Sequence, residues 1–117
     1  MDVDVIPYRL PLRRAFTTAA GVHTARTGWL VAIADGEGHR GWGEAAPLPG
    51  HGGETPEHVP AALDALARAV ADPDARRLIL GTPPGWAPLH ALSARLMPRA
   101  DATPCARAAV EGALADL

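Results

Sequence analysis

Between Ala45 and Glu54 the chain carries Pro47, Pro49, Gly50, Gly52 and Gly53, and the hydrophobic period before this break differs from the period after it. Before it, apolar residues alternate as they do in strands. After it, Val59, Leu63, Leu66 and Val70 recur at intervals of four, three and four, the repeat of one helix face. A chain divided in this way is predicted to be α+β, with the sheet first and the helices second.

Asp2 to Leu12 places Val3 and Val5 in one alternation phase and Ile6, Tyr8 and Leu10 in the other, with Pro7 at the change. This predicts an edge strand with a bulge at Pro7. Gly28 to Ala34 is apolar on both faces, Asp35-Gly36-Glu37-Gly38 supplies turn chemistry, and His39 to Glu44 resumes as a strand. Together these segments predict a three-stranded antiparallel meander. Arg13 to Thr27 follows neither period and is predicted to be a loop, of a length that usually has a functional reason.

A helix is predicted from Thr55 through Val70, with Thr55 as cap; Pro60 moves its start toward His58, because a proline fits only the first turn. Ala75 to Leu80 reads as a short apolar turn, closed by Gly81-Thr82-Pro83-Pro84. Leu89, Leu92 and Leu96 mark a second helix over Ala87 to Leu96. Pro104 opens a third, whose stripe of Ala106, Ala109, Val110, Ala113, Leu114 and Leu117 reaches the last residue without a stop signal, so a longer chain is expected.

With 117 residues this is one domain with a modest core, and some apolar surface is expected to need a partner. Thirteen acids against eleven arginines, without like-charge blocks, exclude a nucleic-acid interface. The single Cys105 permits no internal disulfide, and no apolar run approaches the roughly 18 residues of a membrane span, so a cytoplasmic protein without membrane contact is expected. The sequence contains no Lys, which removes every lysine-based mechanism from these residues.

Several groups invite a chemical reading. His51, Glu54 and His58 are spaced as metal ligands on a loop running into a helix, but no third His or Cys completes the set, and solvated histidines are the simpler reading. Gly50-His51-Gly52-Gly53 resembles an anion cradle without the Lys-Ser/Thr of a phosphate loop. Asp35 and Glu37 are turn formers rather than Ca²⁺ ligands. Ser93 lacks a nucleophile elbow, and Cys105, near a helix start whose dipole would lower its pKa, lacks a partner; both read as packing residues. Trp29, Trp42 and Trp86 are assigned to the core or to an interface with the helices. Arg13, Arg14 and Arg26 bracket the first loop and would attract an acidic ligand if they face inward.

Arg26-Thr27-Gly28, the run Gly41-Trp42-Gly43-Glu44-Ala45-Ala46-Pro47-Leu48-Pro49-Gly50 with Glu54-Thr55 close behind, and Ala109 to Leu117 together resemble the amino-terminal capping domain of the enolase superfamily, in its muconate-cycloisomerase-like subgroup. The resemblance spans essentially the whole chain. Within the subgroup it favours the o-succinylbenzoate synthases, then the dipeptide epimerases, with N-succinylamino-acid racemases and muconate cycloisomerases sharing the same cap. It implies that residues 1–117 are one enolase N-terminal-like cap, whose last helix, 104–117, leads toward a (β/α)₈ barrel.

The resemblance implies a barrel Lys that removes a proton alpha to a carboxylate and a Mg²⁺ ion held by barrel acids. It assigns no catalytic residue and no metal ligand to this chain, which alone is expected to be inactive. To this domain it gives the lid, in the loops Ala15 to Thr24 and Pro47 to Gly53, which would close over the barrel mouth and contact the substrate. Phe16, Val22, Leu48 and Pro49 would supply apolar contact; Thr17, Thr18, His23 and His51 would supply hydrogen bonds. The implied partners are the chain's own C-terminal barrel and a small-molecule carboxylate. A stand-alone, non-catalytic interaction module is the rival from another class.

Overall fold

The computed structural model describes residues 1–51, 54–97 and 102–117. They form β1 (Asp2–Thr18), β2 (Gly21–Ala34) and β3 (Arg40–Ala45), then α1 (Val59–Ala71), α2 (Pro73–Leu80), α3 (Trp86–Leu96) and α4 (Pro104–Asp116). The strands make one antiparallel sheet in the order β1-β2-β3. The α+β order and the meander agree with the sequence reading.

One face of the sheet builds the core. Trp29, Val31 and Ile33 of β2 stand opposite Ala45, Gly43 and Gly41 of β3, while Val5 and Val3 of β1 stand opposite Val31 and Ile33. Against them lie Val59, Leu63, Leu66 and Val70 of α1 and Ala106, Ala109, Val110 and Ala113 of α4, all fully buried. Burying a leucine or valine side chain of this kind contributes about 1.5–3 kcal/mol. Small residues on both partners bring α4 onto β3 at very short range: a Cβ placed on Gly41 would stand 2.0 Å from the Ala113 carbonyl oxygen.

The long first loop is a correction. Residues 13–18 and 21–27 are strand: Phe16, Thr17 and Thr18 pair with His23, Val22 and Gly21, so β1 and β2 form one hairpin arm with Ala19-Ala20 at its tip. The arm needs no apolar alternation, because it lies largely outside the core and its backbone ladder and Thr/Val content suffice for a strand. Its irregularity falls between Pro11 and Phe16, where Leu12 to Ala15 oppose only Thr24, and not at Pro7, which pairs in register with Trp29.

The helices hold two further corrections. Ala75 to Leu80 belongs to α2, whose start is signalled by Asp72, accepting the Asp74 amide at 2.8 Å, and by Pro73 in the first turn. The cap of α1 is His58 rather than Thr55, and Pro60 sits in its first turn as the sequence required. Thr55 instead opens the preceding turn, its carbonyl accepting the His58 amide at 3.0 Å.

Of the three tryptophans only Trp29 is in the core. Trp42 alternates to the outer face of the sheet, 44% exposed, where the Arg40 guanidinium lies 5.8 Å from its ring centroid. Trp86, at the start of α3, is 70% exposed. Neither lies between the sheet and the helices, because strand alternation turns Trp42 away from the helical layer and the first turn of α3 projects Trp86 outward.

Candidate functional site

The motif after β3 folds into a tight turn. The His51 amide donates to the Leu48 carbonyl at 3.0 Å, and Gly50 holds φ 80°, so Pro49 and Gly50 occupy the two central positions of a type II turn, which suits this pair of residues. Pro47 is buried and Leu48 half-buried, while Pro49 and His51 are exposed. Gly52 and Gly53, part of the sequence-predicted lid and anion cradle, lie outside the described residues.

The hairpin tip meets this turn. A Cβ placed on Gly50 would stand 2.3 Å from the Ala20 Cβ, so the two predicted lid segments touch although 30 residues separate them in sequence. Within the tip, Thr18 Oγ1 accepts the Ala20 amide at 3.2 Å and lies 3.4 Å from His23 Nε2. The Phe16 and His23 rings face each other with centroids 5.9 Å apart. Alternation therefore divides the arm: Phe16, Thr18 and His23 share one face, and Thr17 and Val22 the other. The five lid residues on the arm are thus split between its two faces.

Both ends of the turn are tied to the frame. At its start, Arg26 Nη2 of β2 donates to the Ala46 carbonyl at 3.0 Å. After it comes Glu54, only 4% exposed, whose carboxylate accepts the backbone amides of Cys105 at 2.5 Å and Ala106 at 3.4 Å at the beginning of α4. On the outer face of the sheet the Tyr8 hydroxyl donates to the Glu44 carboxylate across Gly28. Burial and that neighbouring carboxylate push the Tyr8 phenol up to about 12.

These contacts bear on two groups for which the sequence allowed a chemical reading without favouring it. Glu54 does not join His51 and His58 as a ligand, for it is turned into the start of α4, and His58 Nδ1 lies 3.2 Å from Thr55 Oγ1. Cys105 is not activated: burial, followed by the Glu54 carboxylate beside it, pushes its thiol up to about 11 and outweighs any helix-dipole effect. Among the described residues no group of three His, Cys, Asp or Glu side chains converges. No helix among them is long and apolar enough to cross a membrane. Arg13 and Arg14 are exposed on the irregular part of β1, and Arg26 is committed to Ala46.

Sequence reasoning missed the polar joint between α3 and α4. The fully buried Ser93 donates to Glu111 Oε1 at 2.5 Å, Arg107 Nε lies 2.9 Å from the same oxygen, and His90 Nδ1 also lies 2.9 Å from it. Burial alone would raise the Glu111 pKa, but the bonds from Ser93, Arg107 and His90 reverse this and hold it low. The only sequence signal was Arg107 four residues before Glu111 on one helix. A groove of about 980 Å³ runs along Ala61, Ala65 and Ala69 to Leu96 and Met97, and no residue assigned to the lid lines it.

Over residues 2–83 the sequence matches the family described as MenC, N-terminal domain. The o-succinylbenzoate synthase of Thermosynechococcus vestitus is 48% identical over 48 residues, or 41% of this chain and 15% of that protein. A mandelate racemase/muconate lactonizing protein from Herpetosiphon aurantiacus superposes with a TM-score of 0.73 and 28% identity over 96% of this chain and 28% of its own. The o-succinylbenzoate synthase structure from Thermosynechococcus elongatus BP-1, complexed with Mg in the active site, superposes with a TM-score of 0.55 and 32% identity over 71% of this chain and 25% of its own. This chain thus spans 25–28% of the length of these two solved relatives.

Proposed function

This chain belongs to the MenC N-terminal domain family, with the α+β fold of the enolase-superfamily capping domain, and we propose that it serves as the cap and substrate-selecting lid of an o-succinylbenzoate synthase-like enzyme. The observation that carries this reading is the 48% identity to an o-succinylbenzoate synthase over 48 residues. The reaction would be the Mg²⁺-dependent dehydration of 2-succinyl-6-hydroxy-2,4-cyclohexadiene-1-carboxylate, in the cytoplasm. Mg²⁺ and the base would be supplied by a C-terminal barrel, with Mg²⁺ stabilising negative charge on the substrate carboxylate.

The work of these residues is to exclude water and contact the part of the substrate remote from the reacting carbon. The contact of Ala20 with Gly50 supports a lid in which the hairpin tip braces the turn. Leu48 and His51 on that turn, with Phe16, Thr18 and His23 on one face of the tip, are the residues proposed to select substrate. Thr17 and Val22, on the other face, are proposed to line the lid's edge, and Pro49 to shape the turn.

A second reading is a racemase, epimerase or cycloisomerase of the same superfamily. It is favoured by the superposition on the Herpetosiphon protein, which covers 96% of this chain against 71% for the synthase structure. The deciding experiment assays the full-length protein with Mg²⁺ against the cyclohexadiene carboxylate and against L-Ala-L-Glu. Dehydration of the first supports the synthase, and epimerisation of the dipeptide alone replaces it. Mg²⁺-dependent turnover by purified residues 1–117 would overturn the assignment of chemistry to another domain.

A further inference from the structure

We infer that Glu54 is a positioning residue that couples the Leu48–His51 turn to α4, an inference that rests on the lid reading above. A carboxylate that is only 4% exposed must be satisfied, and this one is satisfied by main-chain amides of a helix 51 and 52 residues downstream. Those amides are among the donors that a helix cannot satisfy internally at its start. The first turn of α4 contains no acid and opens with Pro104, so Glu54 brings both an acceptor and the negative charge that the helix terminus favours. A local cap would do this without involving the turn. Drawing the cap from residue 54 ties the turn to the helix.

The rest of the frame anchors both ends of this segment. α4 lies directly on β3, its carbonyls at Ala109 and Ala113 sitting where Cβ atoms of residues 43 and 41 would be. β3 runs directly into Ala45 and Ala46, and the Ala46 carbonyl is held by Arg26. The chain from Ala46 to Glu54 therefore starts and ends on one packed sheet-helix unit, and the hairpin tip rests on Gly50 between the two anchors. Loosening the Glu54 anchor should let Leu48 and His51 move together, displacing contacts that orient a substrate.

The test uses the full-length protein with Glu54→Ala, Glu54→Gln and Glu54→Asp. It measures hydrogen exchange at residues 46–51 and 105–106, Mg²⁺ affinity, and kcat and KM for the cyclohexadiene carboxylate. Glu54→Ala is expected to speed exchange in both segments and to lower kcat/KM about tenfold or more with Mg²⁺ affinity unchanged. Glu54→Gln keeps one accepting oxygen but turns an NH₂ donor toward the other amide, so it should recover only part of the loss. Faster exchange confined to 105–106, with kinetics unaltered, would reduce Glu54 to an ordinary helix cap and overturn the inference.

Should Glu54→Ala not fold, Glu54→Asp carries the same decision. Its carboxylate is drawn back by one methylene, so exchange at 46–51 must rise for the inference to stand. Leu48→Ala separates the two ideas. If it changes substrate preference while the Glu54 variants leave kinetics and loop exchange untouched, only the Glu54 inference falls. If Leu48→Ala and His51→Ala both leave preference unchanged, the lid reading falls, and loop exchange alone decides whether Glu54 holds the turn.

Discussion

Gly112 of α4 faces Gly43 of β3, and the two glycines are not equivalent: a Cβ on Gly112 would meet the Gly43 Cα at 3.6 Å, an ordinary contact, whereas a Cβ on Gly43 would stand 1.8 Å from the Ala109 carbonyl oxygen. The Gly-Trp-Gly run thus owes its glycines to the approach of a helix backbone, and its Trp42 to the opposite face of the same strand.

Gly43→Ala should therefore destabilise the protein by about 3 kcal/mol or more, since backbone must move to admit a methyl group. Gly112→Ala should stabilise it by about 0.5–1 kcal/mol, because the site has room and alanine is the better helix former. Urea midpoints of the two variants in the full-length protein check both signs; equal effects would contradict the packing described.

The α3–α4 joint leads to a second expectation. Glu111→Ala leaves the fully buried Ser93 and the largely buried Arg107 without their shared acceptor, and should cost about 3 kcal/mol. Ser93→Ala should cost about 1–2 kcal/mol, and the double variant less than the sum, because the two groups act on one another. A double-mutant cycle by urea unfolding measures the coupling, and strict additivity would show that the joint is not a unit.

Asp35 predicts a pH window. The Glu37 amide, then the His39 side chain, hold its carboxyl down at about 2, and Asp35 in turn raises the His39 pKa. A depressed carboxylate stabilises fully above its ordinary value of about 4 and loses that contribution as pH falls toward 2. A raised His contributes fully below about 6.5 and loses this as pH climbs through its elevated pKa. The stability difference between wild type and Asp35→Asn should thus be largest between about pH 4 and 6.5. A difference that does not change with pH would contradict the ion pair.

For the lid, Leu48→Ala and His51→Ala should change the ratio of kcat/KM values between competing substrates and leave Mg²⁺ affinity intact. Steady-state assays with the cyclohexadiene carboxylate and L-Ala-L-Glu, together with a Mg²⁺ titration, check this. Lost Mg²⁺ binding would place these residues near the metal instead.

The sequence by itself determined the class of fold and the buried stripe of α1. Period-two and period-3.6 patterns are local, and Val59, Leu63, Leu66 and Val70 could only bury together on one helix face. Glycine-rich turn chemistry likewise located the hairpin at Asp35 to Gly38, and the Pro/Gly cluster the loop after β3. The match of the Gly41 to Thr55 run to a capping domain came from the same short range.

Only the tertiary structure decided the rest. The two sides of the arm, up to residue 18 and from residue 21, are strand because each supplies the other's hydrogen bonds, which no apolar period announces. Glu54 became a helix anchor, and Glu111 the centre of a joint, through partners 51 and 18 residues away. A charged side chain in sequence reads as solvated or ligating. Which backbone amides, hydroxyls or guanidinium groups meet it is set by how α3, α4 and the sheet pack, and packing joins residues that sequence spacing leaves apart.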